Sequence, residues 1–381
     1  MKKLVAGLVL GSLLVGGLVM GQAKEDTMMQ ALTMKEASIT AMTEDSRTFP
    51  VDASISVKKV HFENRYGFTV AGDMYLPKDF DSHKKYKALV VSGPFGAVKE
   101  QSSGLYAQEM AKHGYVTVAF DPSMTGESSG KVREMASPDI FTEDYSAAVD
   151  FVTHLDFVDK DKVGAIGICG LPGMALTAAV NDVRIQAVAV SAMYDMSESI
   201  RDHYKGAYYT KEQRELVKQH LAEARDYAAR HGYGKKGAHE LAVDENGNVL
   251  TQETMFPNTL PADTDPVTRE FYNYYVGRAY HPRAINSNTL AWDATTPYGF
   301  FNFQLMQHID EISPRPVLLI TGDKAHSKYF SDEVYEKLKS PKEEIVVPGA
   351  THTDLYDQMD KIPFDRLVDF FDKALDGKDK K

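Results

Sequence analysis

Apolar and polar residues along this chain repeat with two periods, and the order in which the periods follow one another predicts an architecture. Val57 to Glu63 and Phe68 to Leu76 change face at every residue on either side of the turn sequence NRYG, which predicts an antiparallel pair. Short runs rich in β-branched residues then recur: KALVVS from Lys87, YVTVAF from Tyr115, VGAIGI from Val163, IQAVAVS from Ile185, PVLLIT from Pro316 and EEIVVP from Glu343. Continuous apolar runs of this length suit strands buried on both faces, as in a parallel sheet. Between the second and third of these runs, Phe141, Tyr145, Ala148, Val152 and Leu155 follow Ser137-Pro138 at spacings of four, three, four and three. That spacing is one face of a helix, with an N-cap serine and a first-turn proline. Strand, helix and strand in this succession predict an α/β fold: a mostly parallel, doubly wound sheet with helices on both faces.

One long segment breaks the rhythm. Thr210 is placed to cap a polar helix ending at His231, and Asp265-Pro266 opens another that carries Phe271, Tyr272, Tyr274 and Tyr275. We read residues 196–288 as a helical cap inserted between two parts of one core, 55–195 and 289–381. The cap's aromatic residues either pack it onto the core or line an apolar pocket. DENGN, residues 244–248, reads as a loop or hairpin tip. At the other end of the chain, Lys2 and Lys3 precede an uncharged stretch from Leu4 to Met20 and the small-residue pattern Gly21-Gln22-Ala23. This predicts a signal peptide, residues 1–23, and an exported protein, periplasmic or secreted, with no membrane span in the mature chain. An uncleaved N-terminal anchor is the alternative. Residues 24–54, polar and rich in Met and Thr, read as a flexible lead-in.

Charge narrows the partners. A net charge of -11 without a basic run after Lys3 argues against nucleic acid, which requires clustered Lys and Arg to neutralise phosphates. Neither G-x-G-x-x-G nor G-x-x-x-x-G-K-[ST] occurs around residues 163–180, and neither H-E-x-x-H nor a Cys pair is present, so no cofactor or metal is expected. A small-molecule substrate remains; oligomeric state cannot be read from the sequence.

The chain holds 1 cysteine, Cys169, which cannot form an internal disulfide and is therefore either core filler or chemistry. Its place favours chemistry. Functional groups of a doubly wound sheet sit at the C-terminal ends of strands, and Cys169 follows VGAIGI directly and precedes the helical pattern LPGMALTAAV, with Gly167 and Gly170 beside it. A nucleophile on such a sharp strand-to-helix turn needs small neighbours, and the N-terminus of the following helix favours a thiolate. The same arrangement calls for an acid and then a histidine in loops after later strands. His352 follows EEIVVP within the loop GATH and would act as the base for the thiol. Asp323, after PVLLIT, is the candidate acid that would fix the imidazole; Asp195 is the second candidate, and Asp354, two residues beyond His352, reads as a cap for the following helix. SGPFGAVKE follows the first parallel strand, and the N–H of Phe95 or Gly96, together with that of Gly170, would form an oxyanion hole.

GPFGAVKEQ, DPSMTGESSG, GICGLPG, ISPRPVLLITGDKAHS and VVPGATHTDLYD together resemble the α/β-hydrolase superfamily, specifically its polyketide-transferase-like branch and, more distantly, dienelactone hydrolase. The resemblance runs from about Val57 to the C-terminus. It implies an α/β-hydrolase fold and a Cys169–His352 pair with an acid partner, and esterase, thioesterase or acyl-transfer activity. Two departures stand out. Leu171-Pro172 occupies a place where the branch has small residues, and the usual acid position, a few residues beyond Asp323, holds Ala325 and His326. The expected function is cleavage of a carboxylic ester or thioester through a Cys acyl-enzyme. Transfer to an acceptor other than water, or a binding protein that kept the fold without turnover, are the alternatives.

Overall fold

The computed structural model describes residues 37–203 and 210–377. A nine-stranded sheet forms its centre, built from β1 (Ser38–Ala41), β2 (Ser56–Glu63), β3 (Thr69–Leu76), β4 (Tyr86–Ser92), β5 (Val116–Phe120), β6 (Val158–Ile168), β7 (Ile185–Ser191), β10 (Val317–Gly322) and β11 (Lys342–Val347). Their spatial order is β1-β2-β3-β5-β4-β6-β7-β10-β11. The first three neighbour pairs are antiparallel and all later pairs parallel. The strands predicted from apolar runs are all present, with ends shifted by a few residues; β6 begins earlier, at Val158.

Two helical layers cover the sheet. On one face lie α2 (Pro138–Thr153), α3 (Pro172–Asn181) and α8 (Lys328–Lys337); on the other, α1 (Ser102–Lys112) and α10 (Phe364–Leu375). Ser137 caps α2 and Phe141, Tyr145, Ala148 and Val152 of the predicted stripe are buried. On α10, Phe364, Leu367, Phe371 and Leu375 form the inward stripe at helical spacing.

Between β7 and β10 the chain carries α4 (Met196–Asp202), α5 (Lys211–His231), α6 (Pro266–Tyr272), a π-helical turn over Asn273–Arg278, the short pair β8 (Lys236–Gly237) and β9 (Trp292–Asp293), and α7 (Thr296–Phe300). Thr210 caps α5 in a reciprocal box with Gln213, and Asp265 caps α6. Residues 238–265 are mostly irregular, so helix is only part of this segment, and the β8–β9 pairing carries it past 288. Val243 bridges Val249 across the DENGN tip.

The lead-in departs from expectation. Residues 24–36 lie outside the described residues, but from residue 37 onward the segment is ordered against the sheet: β1 pairs with β2, Ile39 is buried, and the Thr48 N–H donates to the Glu100 carbonyl at 3.0 Å. Its polar composition hid this because an edge strand buries only one residue in four here. The predicted signal peptide, residues 1–23, also lies outside the described residues. Among the described residues no helix is long and apolar enough to cross a membrane.

Candidate active site

The C-terminal ends of β4, β6, β7, β10 and β11 bring five loops together, and Cys169 stands at their centre. It follows β6 with φ +60°, a left-handed conformation that non-glycine residues adopt at cost. The turn is held by its neighbours. The Cys169 N–H donates to the Ser191 carbonyl at 3.0 Å and its own carbonyl accepts from Tyr194 N–H at 2.7 Å, which ties the elbow to β7. A Cβ at Gly167 would come within 2.7 Å of the Pro172 backbone, and one at Gly170 within 2.6 Å of Phe95 Cβ. Glycine is therefore needed at 167 and 170. Leu171 and Pro172 themselves close in on Gly167, while the Leu171 side chain turns into the hydrophobic core at the start of α3.

Around the sulfur the backbone supplies two donors. The N–H groups of Phe95 and Gly170 both face Sγ, as does the Tyr356 hydroxyl. Phe95 and Gly170 thus come together as the sequence suggested. Gly96 does not join them; its φ of +82° turns its carbonyl to accept from Ile285 and Asn286, and the Asn286 side chain donates to the Phe95 carbonyl at 2.6 Å. The thiol itself is buried, and burial pushes it up to about 11 against the stabilising pull of those donors. Desolvation thus works against the helix N-terminus, expected from the sequence to favour a thiolate.

His352 arrives from the loop after β11 and is fully buried. Its Nε2 shares a 2.8 Å hydrogen bond with the Tyr356 hydroxyl, and its Nδ1 a 2.6 Å hydrogen bond with the Ser327 hydroxyl. Burial and the neighbouring His326 hold it well below the usual imidazole range, so it is neutral and able to accept a proton. Tyr194, Phe271 and His326 enclose the ring, with centroid separations of 5.1, 5.3 and 5.1 Å. His326 is itself lowered to about 4 by burial and hydrogen-bonds the Tyr194 hydroxyl.

No candidate acid reaches this imidazole. Asp323 is exposed and accepts from the Gly349 N–H at 2.7 Å, which braces the histidine loop rather than the histidine. Asp195 is the N-cap of α4, accepting from Ser197 and Glu198 N–H. Asp354 accepts from Thr351 N–H at 2.9 Å. Ser327, four residues beyond Asp323, takes the place beside Nδ1. Sequence reasoning missed Ser327 and Tyr356 because both look like ordinary loop and helix residues. The cue for Tyr356 was its spacing of four from His352 in HTDLY, which turns both side chains to one side.

A cavity of about 380 Å³ opens onto the thiol, lined by apolar and aromatic side chains from the loops and the inserted segment, including Phe95, Met196, Met255, Phe256, Phe271 and Tyr275. Glu240 is the carboxylate on its wall, hydrogen-bonded by the Ser199 hydroxyl; His239, Gln252, Thr268 and Asn286 add polar groups, and among the described residues no Lys or Arg lines it. Among the described residues no group of three or more His, Cys, Asp or Glu side chains is arranged to hold a metal. The arrangement brings a thiol, a buried imidazole and two backbone donors to one mouth of a largely aromatic cavity.

Comparison with known proteins identifies the family and the fold. The model for "X-Pro dipeptidyl-peptidase (S15 family)" matches residues 67–281. The uncharacterized protein PA2218 of Pseudomonas aeruginosa is 48% identical over 330 residues, covering 86% of this chain and 84% of its own. Its crystal structure superimposes with a TM-score of 0.80, covering 89% of this chain and 99% of that one at 46% identity. The uncharacterized protein YcjY of Escherichia coli is 30% identical over 325 residues (83% and 99% covered), and the acyltransferase drtE of Aspergillus calidoustus 22% over 335 residues (85% and 99%). The α/β hydrolase GrgF from a Penicillium species shares the fold at a TM-score of 0.66 and 18% identity, with 84% and 99% covered. With a parallel sheet, a strand-to-helix elbow and these relatives, the chain belongs to the S15 family of α/β hydrolases.

Proposed function

We propose that this protein is a cysteine-dependent α/β hydrolase that cleaves carboxylic esters or thioesters through an acyl group carried on Cys169. The observation that carries the reading is the elbow: a left-handed Cys169 whose sulfur faces the N–H groups of Phe95 and Gly170 at the mouth of an apolar cavity. Attack of Sγ on a substrate carbonyl moves charge onto the carbonyl oxygen, and these two N–H groups are the donors available to receive it without reorganisation. His352, neutral and boxed in by aromatic rings, is the sink for the thiol proton and returns it to the leaving group. The apolar part of the cavity suits an apolar acyl chain, and Glu240, with no lining cation among the described residues, disfavours an anionic one. The S15 family's hydrolase fold and the acyltransferase drtE among the relatives support acyl chemistry. The leader pattern of residues 1–23 supports an exported enzyme.

Intact mass tests the reading. After brief exposure to p-nitrophenyl acetate and butyrate, the native protein should gain one acyl group with a burst of nitrophenol, and Cys169→Ala should gain none. An unmodified native protein, or equal acylation of Cys169→Ala, would sink the proposal.

A further inference from the structure

The base and the nucleophile of this site do not address each other directly. His352 Nε2, the nitrogen that would take the thiol proton, is engaged by the Tyr356 hydroxyl at 2.8 Å, and that same hydroxyl faces Cys169 Sγ. We propose that Tyr356 is a catalytic residue, a proton relay standing between Cys169 and His352, and that Ser327 replaces a carboxylate as the group that orients the imidazole. The inference rests on the proposed acyl chemistry at Cys169 and assigns it the residue through which the proton travels.

Three observations support the relay. The first is placement: one hydroxyl hydrogen-bonds His352 Nε2 at 2.8 Å and also lies close enough to the Cys169 thiol to act on it, so it borders both reacting groups. Rigidity is the second. The Tyr356 carbonyl accepts from the Ser102 hydroxyl at 2.9 Å, its ring meets Tyr274 edge-on at a centroid distance of 4.9 Å, and the whole side chain is buried. A hydroxyl on a free rotor would not hold two partners at once; this one has little room to turn. The third is the missing carboxylate. With Ser327 as the neighbour of Nδ1, the relay uses the tautomer in which Nδ1–H donates to Ser327 Oγ and the Tyr356 O–H donates to Nε2. The phenol oxygen then keeps lone pairs free toward the sulfur.

The step balances without any further reactant. As Sγ bonds to the substrate carbonyl carbon, the carbonyl π pair moves to oxygen, facing the N–H groups of Phe95 and Gly170. The thiol proton passes to Tyr356 Oη while the Tyr356 proton passes to His352 Nε2. When the intermediate collapses, the carbon–leaving group bond breaks and the proton returns along the same path to the departing oxygen or sulfur. Tyr356 begins and ends as a neutral phenol.

The test compares Tyr356→Phe, His352→Ala and the double variant with the native full-length protein, following the acylation burst with p-nitrophenyl acetate across pH in water and in D₂O. Phe keeps the ring and its packing and removes only the hydroxyl. We expect Tyr356→Phe to lose about 10²-fold in acylation rate, within the range for general acid–base steps, together with the solvent isotope effect. The double variant should be no slower than His352→Ala, since the two act on one proton. A Tyr356→Phe burst within about threefold of native, or losses that multiply in the double variant, would overturn the relay while acylation of native Cys169 kept the thiol chemistry standing. A native protein that never acylates at Cys169 would overturn both. If Tyr356→Phe unfolds, 3-fluorotyrosine placed at 356 keeps the hydroxyl and acidifies it; a changed pH profile supports the relay and an unchanged one removes it.

Discussion

His352 and Cys169 are both buried, and burial acts on them in opposite directions. The imidazole is held well below its usual range and the thiol is raised to about 11, so at neutral pH both are uncharged. A preformed thiolate–imidazolium pair is thus disfavoured, and the proton moves only as substrate arrives. Two limbs follow. Activity should persist well below pH 6.5, because His352 stays neutral there. Alkylation of the single cysteine by iodoacetamide should be slow at pH 7 and rise about tenfold per pH unit toward 10, following the thiolate fraction. Fast, pH-independent alkylation at neutral pH would contradict the buried-thiol geometry. Cys169 and His352 were legible in the sequence because each lies next to a strand whose apolar run marks its end. Asp323 was misassigned for a related reason: chain position says that a residue is in the loop, not which way it points, and here the carboxylate turns outward to Gly349 N–H.

At the level of elements, the loop that carries Phe95 is anchored by a buried cation. Lys99 is fully buried, with Nζ 2.6 Å from Glu100, 3.3 Å from Asp121 and 2.7 Å from Glu127, and its N–H donates to Asp121 at 2.7 Å. This ties the segment after β4 to the end of β5. Lys99→Met would leave Asp121 buried without a cation and Glu100 with Arg283 alone, and should cost about 3–5 kcal/mol of stability in denaturant unfolding. A loss under about 1 kcal/mol would mean the cluster is well hydrated. Nothing in GPFGAVKE marks Lys99 as an internal residue, since its partners lie 1, 22 and 28 residues away. The strands and α2, by contrast, were legible because period and capping are local. β1 was not, because its stability comes from its partner β2 and from one buried isoleucine rather than from its own composition.

The whole molecule combines buried groups whose ionisation opposes folding at different pH. Asp73, on β3, has an oxygen without a hydrogen-bond partner and is raised to about 7 by burial, offset in part by Lys99. Its raised value makes the sign definite. The folded state favours the neutral acid, so this contribution is present below the ordinary value near 3.8 and is lost as pH rises toward 7. Asp73→Asn should therefore raise the urea midpoint at pH 8, by roughly 2 kcal/mol, and leave it nearly unchanged at pH 4. The buried histidines act the other way: His326, lowered to about 4, withholds a proton that the unfolded chain binds below 6.5, so acidification from 6.5 toward 4 removes stability.

The depth of the cavity also sets a clock. On the proposed acyl chemistry, an acyl group on Cys169 would occupy the space of about 380 Å³ that opens onto the thiol, the side from which water would reach it. A short acyl chain leaves that route open, whereas a long one closes it with its own body. The lifetime of the acyl-enzyme then grows with the size of its cargo, and the choice between water and another acceptor passes from the protein to the substrate it carries.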